Sequence, residues 1–475
     1  MTVDGPAPRG DRRQAGVKVG MISLGCAKNL VDGEVMLGHL EARGVRITAD
    51  ADDADVVVVN TCGFITEAKA ESIDAILEVV EAKKSGRVRR LVVAGCMAQA
   101  YAEELRREIP EIDAFIGLDE LERIAEAVRG ELAGHLPDQH GAVRLYDHAN
   151  PRLLSTSGHA YLKVAEGCDN PCAFCHIPAM RGDFRSRPLS DLVAEARRLE
   201  AAGVRELVLI AQDTTRYGED LGLDHGLRLL VTALLEETGI PWVRFLYAYP
   251  STLDEGLFDL MADDPRFVPY FDIPLQHASR PVLKAMKRGG DAARYLRLIE
   301  RARATVPDLA VRTTFIVGFP GEGRTEFDEL VAFVREARFD HLGVFTYSWQ
   351  EENPGAALGD PIAEEVKAER RAELLEAQQA VSMAINRGLV GRTLPAIVSG
   401  PLAEMELLTE GRLRRQAPEI DGRLLINDGT APSGSLVDVE VTEAHPYDVV
   451  GRIARVVRPP QPGPRFLPLV GGRAR

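Results

Sequence analysis

The chain has 475 residues, 45% of them apolar, enough material for several packed cores and a length of about three domains. Its formal net charge of −15 and pI near 5.3 disfavour a general nucleic-acid binder and suit a strongly basic partner. No apolar run reaches the ~18 residues of a transmembrane helix, and the N-terminus lacks the apolar stretch of a secretion signal, so a cytoplasmic chain with reduced cysteines is expected.

In chain order, residues 1–15 are rich in Gly, Pro and Arg and are expected to be disordered. Residues 16–130 alternate strand and helix. V-K-V-G-M-I-S-L leads to Cys26, and a helical pattern follows from about Val31 to Ala42. D-V-V-V-V-N-T leads to Cys62, then a helix to about Lys83. R-R-L-V-V-A-G leads to Cys96, then a helix to about Glu108. The apolar runs predict buried parallel strands with helical crossovers, a Rossmann-like α/β domain. Ligands of open α/β sheets bind beyond the carboxyl ends of the strands. Cys26, Cys62 and Cys96, each just past a strand, should therefore converge on one edge.

Residues 131–158 read as a linker. A second alternation fills residues 159–360. Its candidate strands are Ala160–Ala165, Glu206–Ala211, Val243–Tyr247, Tyr270–Pro274, Arg312–Val317 and Leu342–Thr346. Helical patterns such as Leu192–Ala202 and Glu326–Ala337 separate them. Six such units predict a partial (β/α)6 barrel of the TIM type, with functional residues at the strand C-termini. A charge-laced helix over residues 361–387 should tether the C-terminal segment. Residues 388–458 carry short strand-like runs punctuated by Gly and Pro, which predict a small antiparallel β-barrel. The Pro-rich tail, 459–475, is expected to be disordered. The chain is thus read as an α/β multidomain protein.

All six cysteines fall into two sets of three. Cys168, Cys172 and Cys175 form a tight run, E-G-C-D-N-P-C-A-F-C-H, after the first barrel strand. Three thiolates on a 4Fe–4S cluster leave one iron without a protein ligand and open to a cofactor. Two other readings compete. Cys172 to His176 fits the C-x-x-C-H pattern of haem attachment, which needs export and leaves Cys168 unused. Cys168, Cys172, Cys175 and His176 would also make a zinc site.

The C-x3-C-x2-C spacing, with Phe174 before the last cysteine, resembles the signature of the radical S-adenosylmethionine superfamily. That resemblance implies a 4Fe–4S cluster whose open iron chelates S-adenosylmethionine, which is then cleaved to methionine and a 5′-deoxyadenosyl radical. S-L-G-C-A-K-N-L-V-D around Cys26, N-T-C-G-F-I around Cys62 and A-G-C-M-A-Q around Cys96 resemble the N-terminal domain of the methylthiotransferases. P-A-M-R-G, F-I-V-G-F-P-G-E and a C-terminal barrel similar to the TRAM module extend the likeness over nearly the whole chain. It implies a second, auxiliary 4Fe–4S cluster on Cys26, Cys62 and Cys96 whose free iron carries the sulfur to be transferred.

One branch of that family modifies tRNA adenosine. The other, the RimO type, methylthiolates the β-carbon of an aspartate in ribosomal protein S-twelve. The opening S-L-G-C-A-K-N-L-V-D and Q-A-P-E-I-D-G (416–422) resemble the second. Charge points the same way. Residues 388–458 hold eight Arg and no Lys against ten Asp and Glu, where a tRNA-gripping module should be basic. No stable nucleic-acid binding and no membrane partner are expected. Glu419 and Asp421 are the first candidates for contacting a basic protein. The radical chemistry implies an electron donor such as flavodoxin or ferredoxin. The rivals are a tRNA adenosine methylthiotransferase and a non-catalytic iron–sulfur sensor or RNA-binding protein.

Strand ends of the barrel supply candidate S-adenosylmethionine contacts: Gln212, Asp213, Gln276, Gly318 and Gly321, with Arg312 inside the fifth strand and Phe174 in the cysteine run. His277 and Thr314 are further candidates. Lys28, Asn29 and Asp32 flank Cys26 and are candidate supports for its cluster. Asn29 also reads as a helix N-cap.

Overall fold

Strand β1 (Lys18–Ser23) opens a five-stranded sheet with β2 (Arg46–Ile47), β3 (Val56–Thr61), β4 (Arg90–Gly95) and β5 (Ala114–Ile116). The order is β2-β1-β3-β4-β5 and every pair is parallel. Helices α1 (Ala27–Ala42), α2 (Thr66–Lys84), α3 (Cys96–Glu108) and α4 (Ile124–Arg129) cover it. Strand β3 is buried along its whole length, which is why V-V-V-V-N-T shows no alternation. Valines 56 and 58 pack on the α1 side, and valines 57 and 59 on the α2 side. Helix α1 starts earlier than the Val31 expected, because Gly25 at φ +87° turns the chain and leaves Cys26 as N-cap.

The computed structural model describes residues 17–50, 53–138, 144–402 and 405–460. The disorder expected for residues 1–15, and for the tail from residue 461 on, lies outside the described residues. Among the described residues no helix is long and apolar enough to cross a membrane.

Residues 144–158 do more than link. Arg152 donates to Glu34 on α1 at 2.6 and 2.9 Å and to Glu195 at 2.8 Å, with all three side chains buried. The segment thus straps the first sheet to the second unit.

That unit begins with β6 (His159–Lys163). A short hairpin of β7 (Ala165–Glu166) and β8 (Arg185–Ser186) carries the tight cysteine run and α5 (Ile177–Arg181) between its arms. Then follow α6 (Leu189–Ala201), β9 (Glu206–Ile210), α7 (Gly226–Glu237), β10 (Trp242–Phe245), α8 (Gly256–Asp263), β11 (Tyr270–Asp272), α9 (Arg280–Ala285), α10 (Ala292–Thr305), β12 (Ala310–Val317), α11 (Arg324–Ala337) and β13 (His341–Thr346). Parallel pairing gives β6-β9-β10 and β11-β12-β13. A parallel bridge from Val243 to Phe267 leads from one half to the other. These are the six expected strands, shifted by a residue or two at their ends. Period-two alternation sorts their side chains. Leu207, Leu209, Phe245, Phe271 and Phe315 face the outer helices, while Tyr161, Val208, Ile210 and Tyr270 face inward.

Helix α12 (Glu364–Arg387) lies along β13. Leu374 and Ala377 enter the barrel's outer core, Gln378 donates to the Phe339 carbonyl at 2.8 Å, and Asn386 reaches the His445 carbonyl at 2.8 Å. The expected tether is therefore packed on both its neighbours.

Strands β14 (Thr393–Leu402), β15 (Met405–Leu413), β16 (Leu424–Asp428), β17 (Leu436–Ala444) and β18 (Val449–Arg458) close a barrel in the order β14-β15-β16-β18-β17. It is antiparallel except at β16–β18, which pair parallel because β17 crosses over to sit between β18 and β14. Its 412–422 segment plugs the N-terminal mouth of the six-stranded unit. Arg412 pairs with Glu206 at 2.5 Å, Tyr161 donates to the Pro418 carbonyl at 3.2 Å, and Tyr270 donates to Asp421 at 2.6 Å. Asp421, expected on a recognition surface, has a fully buried side chain that also faces Arg312 at 3.4 Å. Glu419 accepts from Tyr161 at 3.3 Å. Its left-handed backbone, φ +69°, turns the plug. Q-A-P-E-I-D-G is a docking loop, because its carboxylates meet the inward-facing polar ends of barrel strands.

Candidate active site

The auxiliary cysteines leave three neighbouring strands at the same edge. Cys26 follows β1 as N-cap of α1, Cys62 follows β3, and Cys96 is the first residue of α3 after β4. Gly25 makes the approach possible: a Cβ there would lie 2.7 Å from Cys62 Cβ and 3.0 Å from its Sγ. Asn60 donates to the Asn29 carbonyl at 2.7 Å, and Asn29 donates to the Leu24 carbonyl at 2.7 Å, fixing the turn. Asn29 is thus a loop brace, and its expected capping role is not what the structure has. Burial raises Cys26, but Lys28, Arg181 and the backbone N–H groups of Asn29 and Lys28 outweigh it and leave the thiol below its ordinary value. Burial pushes Cys62 up to about 12, with Cys96 and Cys26 adding to it. Burial also raises Cys96, against Arg181.

The second set sits at the opposite face of the seam. Cys168, Cys172 and Cys175 lie in the loop after β7, anchored by Cys168 N–H to the Gly182 carbonyl at 3.1 Å and Ala173 N–H to the Met286 carbonyl at 3.0 Å. Arg288 donates to Cys172 Sγ at 3.6 Å and stacks on Tyr249 at 4.2 Å. Burial pushes Cys175 up to about 12, and Cys172 and Cys168 act in the same direction.

The two sets are tied together. His176, next to Cys175, reaches the carbonyl of Gly63, next to Cys62, at 3.3 Å. Arg181 donates to Cys96 Sγ at 3.1 Å, to Glu166 at 2.9 Å and to Asp32 at 3.2 Å. Lys163, at the end of β6, pairs with Asp32 at 2.5 Å and with Glu166 at 2.7 Å. Lys28 Nζ lies 3.4 Å from the ring centroid of Tyr247, just past β10. Thr66 and Lys69 of α2 bond Ser348 and Gln350 beyond β13. The carboxyl edge of the first sheet therefore caps the carboxyl mouth of the barrel, with both cysteine sets at the junction.

Three family descriptions match along the chain: Uncharacterized protein family UPF0004 over residues 18–117, the Radical SAM superfamily over 162–334, and the TRAM domain over 390–454. The ribosomal protein uS12 methylthiotransferase RimO of Solibacter usitatus is 50% identical, over 94% of this chain and 96% of that protein. Its counterpart from Anaeromyxobacter sp. (strain K) is 48% identical, over 95% and 97%. The chain belongs to the RimO family of methylthiotransferases. Among solved structures, the radical S-adenosylmethionine methyltransferase TsrM from Kitasatospora setae superposes with a TM-score of 0.51 at 16% identity, over 72% of this chain and 77% of that one, a likeness of fold.

As a RimO-family radical enzyme, the chain has S-adenosylmethionine and two 4Fe–4S clusters as cofactors. Its donor sets fit clusters. Each gathers three thiols that influence one another's ionisation, and most are held protonated by burial. Iron supplies the positive charge that lets such thiols bind as thiolates. Among the described residues no three His, Cys, Asp or Glu side chains close around a single ion; a cubane spreads its ligands over separate corners. His176, the fourth ligand of the zinc reading, has Nδ1 on Asn353 at 3.0 Å and Nε2 on the Gly63 carbonyl.

The structure distributes the other candidates of this RimO-family site unevenly. Gln212 donates to Glu166 at 2.9 Å. Asp213 accepts from Asn170, in the cysteine loop, at 2.7 Å. Both stand beside the radical set. Gln276 adopts φ +70° and bridges the Thr314 carbonyl and the Ile316 N–H. Phe174 packs against a cluster of Val282, Met286, Phe319 and Tyr347. Arg312 lies a layer lower, donating to Asp272 at 2.8 Å, with Thr314 3.5 Å away. Gly318 donates to Glu322, and a Cβ there would come within 2.4 Å of Lys367 Cγ. Gly321, φ +93°, has open space beside it. His277 is committed to Glu322 at 3.1 Å. Reasoning from sequence missed Lys163, Glu166, Arg181, Tyr249 and Arg288. Lys163 and Glu166 did carry a signal, being charged residues inside an apolar strand just before Cys168.

Proposed function

We propose that this chain methylthiolates the β-carbon of a specific aspartate of ribosomal protein uS12. The likeness to uS12 methylthiotransferases supports the substrate, and one observation carries the chemistry: two cysteine triads meet at one seam, tied by the pairs His176–Gly63 and Arg181–Cys96. Cys168, Cys172 and Cys175 would hold the radical cluster, and Cys26, Cys62 and Cys96 the auxiliary one. Held there, the clusters and S-adenosylmethionine would supply the radical and sulfur-transfer chemistry. The chain's own residues do the rest. Arg181 and Lys163 set the distance between the two halves through Asp32 and Glu166. Gln212, Asp213, Gln276, Phe174 and Gly321 border the cofactor, with Arg312 and Gly318 stiffening the strands beneath it. Burial of the seam keeps water from a radical intermediate.

Residues 16–130, 159–360 and 388–458 are the working units, in the cytoplasm, with electrons drawn from a flavodoxin or ferredoxin. The non-basic C-terminal barrel favours protein over tRNA. The test offers reduced, reconstituted enzyme both uS12 and unmodified tRNA and follows each by mass analysis. Methylthio transfer to uS12 alone is expected; transfer to tRNA alone overturns the reading.

A further inference from the structure

At the amino ends of the barrel strands, opposite the cysteine mouth, one buried guanidinium lacks a carboxylate. Arg205, just before β9, is 3% exposed, and its backbone N–H donates to the Gly158 carbonyl at 2.9 Å. Among the described residues its side chain makes one hydrogen bond, from Nη2 to the Pro459 carbonyl at 2.9 Å. Nε is sealed from solvent and has no partner there. Burial and the like charge of Arg458 hold the group below its ordinary pKa, and among the described residues no carboxylate offsets them. The cysteine sets lie at the other end of the strands and do not answer this charge. A buried cation without an anion is costly.

The last strand shows where the missing anion belongs. Register shifts in the β17–β18 pairing set Arg452, Arg455 and Arg458 opposite Glu440, Asp438 and Leu436. Arg452 pairs with Glu440 at 2.9 Å and Arg455 with Asp438 at 2.6 Å. The third rung has Leu436 in place of an acid, and Arg458 is exposed, with no ion pair among the described residues. Arg458 directly precedes Pro459, whose carbonyl Arg205 holds, so two uncompensated guanidiniums meet where β18 leaves its barrel. The sequence after Pro460 contains no Asp or Glu.

We propose that Arg205 and Arg458 form a binding site for a doubly charged phosphate-type oxyanion, either inorganic phosphate or a phosphate monoester. A guanidinium fork matches phosphate oxygens two at a time, and two forks without a carboxylate leave two positive charges to be answered. A phosphate monoester carries close to two negative charges at neutral pH, whereas a diester carries one. Arg205 belongs to the six-stranded unit and Arg458 to the C-terminal barrel, so the bound anion clamps one to the other. The site is separate from the chemistry of methylthio transfer.

The experiment measures binding to the reconstituted full chain by calorimetry, at constant ionic strength with chloride as the balancing anion. The probes are inorganic phosphate, glycerol phosphate and dimethyl phosphate, each offered to wild type, Arg205→Met and Arg458→Ala. Wild type should bind inorganic phosphate at least about tenfold more tightly than dimethyl phosphate, and phosphate should slow proteolytic release of the C-terminal barrel. Each substitution should weaken phosphate binding at least about tenfold, the loss of a charge-assisted hydrogen bond, and remove the protection. Arg458→Ala trims an exposed side chain, so it keeps the fold and methylthio transfer and decides the matter if Arg205→Met does not fold. Glycerol phosphate binding as tightly as inorganic phosphate supports a monoester as ligand; binding of inorganic phosphate without glycerol phosphate supports the free ion. Failure of both to bind, equal binding of the diester, or wild-type affinity in Arg458→Ala overturns the proposal. So does proteolytic release that phosphate does not slow.

Discussion

Arg181 and Cys96 meet at 3.1 Å across the junction of two domains, the guanidinium of the barrel's cysteine loop donating to a thiol of the first sheet. Arg181 is 1% exposed and also holds Asp32 and Glu166. One side chain thus touches the auxiliary set, the helix that follows Cys26 and the strand that precedes Cys168. Replacing it by Met leaves two carboxylates with Lys163 alone. A broken buried pair costs about 3–5 kcal/mol. Arg181→Met should therefore bind less iron on the auxiliary side and transfer methylthio groups at least about tenfold more slowly. Iron analysis and product mass spectra check this; wild-type transfer by Arg181→Met would sink it.

Division of labour between the two sets gives a second expectation. Single Ala variants of Cys168, Cys172 or Cys175 should produce no deoxyadenosine. The triple Ala variant of Cys26, Cys62 and Cys96 should keep about four irons, one cubane's worth, and still cleave S-adenosylmethionine. It should make no methylthiolated product. Full product from that triple variant would show that the auxiliary set is not the sulfur carrier.

Asp421 anchors the C-terminal barrel beneath the strands through Tyr270 and Arg312. Asp421→Ala leaves Arg312 with Asp272 alone and removes the acceptor of a buried hydroxyl. The loss should be about 2–4 kcal/mol, seen as a lower Tm and easier proteolytic release of the C-terminal barrel. An unchanged Tm and protease pattern would mean that the plug is not what holds the domain.

Acid should loosen the same junction. Burial raises Glu206, but Arg244 and Arg412 outweigh it and hold the carboxyl at about 2. Between its ordinary value of 4.5 and about 2, the unfolded chain binds more protons than the folded one, so stability falls as pH falls through that window. Burial, helped by Arg412, holds His159 down to about 3 from 6.5. Again the unfolded chain takes the proton first, so this loss begins below pH 6.5. Each proton contributes up to about 1.4 kcal/mol per pH unit. Thermal unfolding against pH should be flatter for His159→Gln between pH 6.5 and 4.5; an identical slope rules out this assignment.

Net charge predicts salt sensitivity. A chain at −15 should draw a basic protein electrostatically. Raising salt from 0.1 M to 1 M shortens the Debye length from about 10 Å to about 3 Å. Binding of uS12 should weaken at least about tenfold over that range, measured by titration at several salt concentrations. Salt-independent Kd values would leave the acidic surface as a solubility feature only.

What sequence alone determined is local and periodic. The valine run of β3 announces a strand buried on both faces, and Cys26, Cys62 and Cys96 each follow such a run. Because parallel strands share a direction, their C-termini share an edge, and convergence of these thiols follows without coordinates. The spacing of Cys168, Cys172 and Cys175 is likewise readable, since its ligands lie on one short loop. Pairings across domains are another matter. Nothing in the order of residues says that Arg181 meets Cys96, that Lys28 meets Tyr247, or that Asp421 is buried under Arg312. Each joins elements far apart in the chain, and each polar side chain would read as a solvated surface residue until the domains pack. Only the tertiary structure decides which charges find partners, because desolvation and pairing depend on which surfaces close against each other.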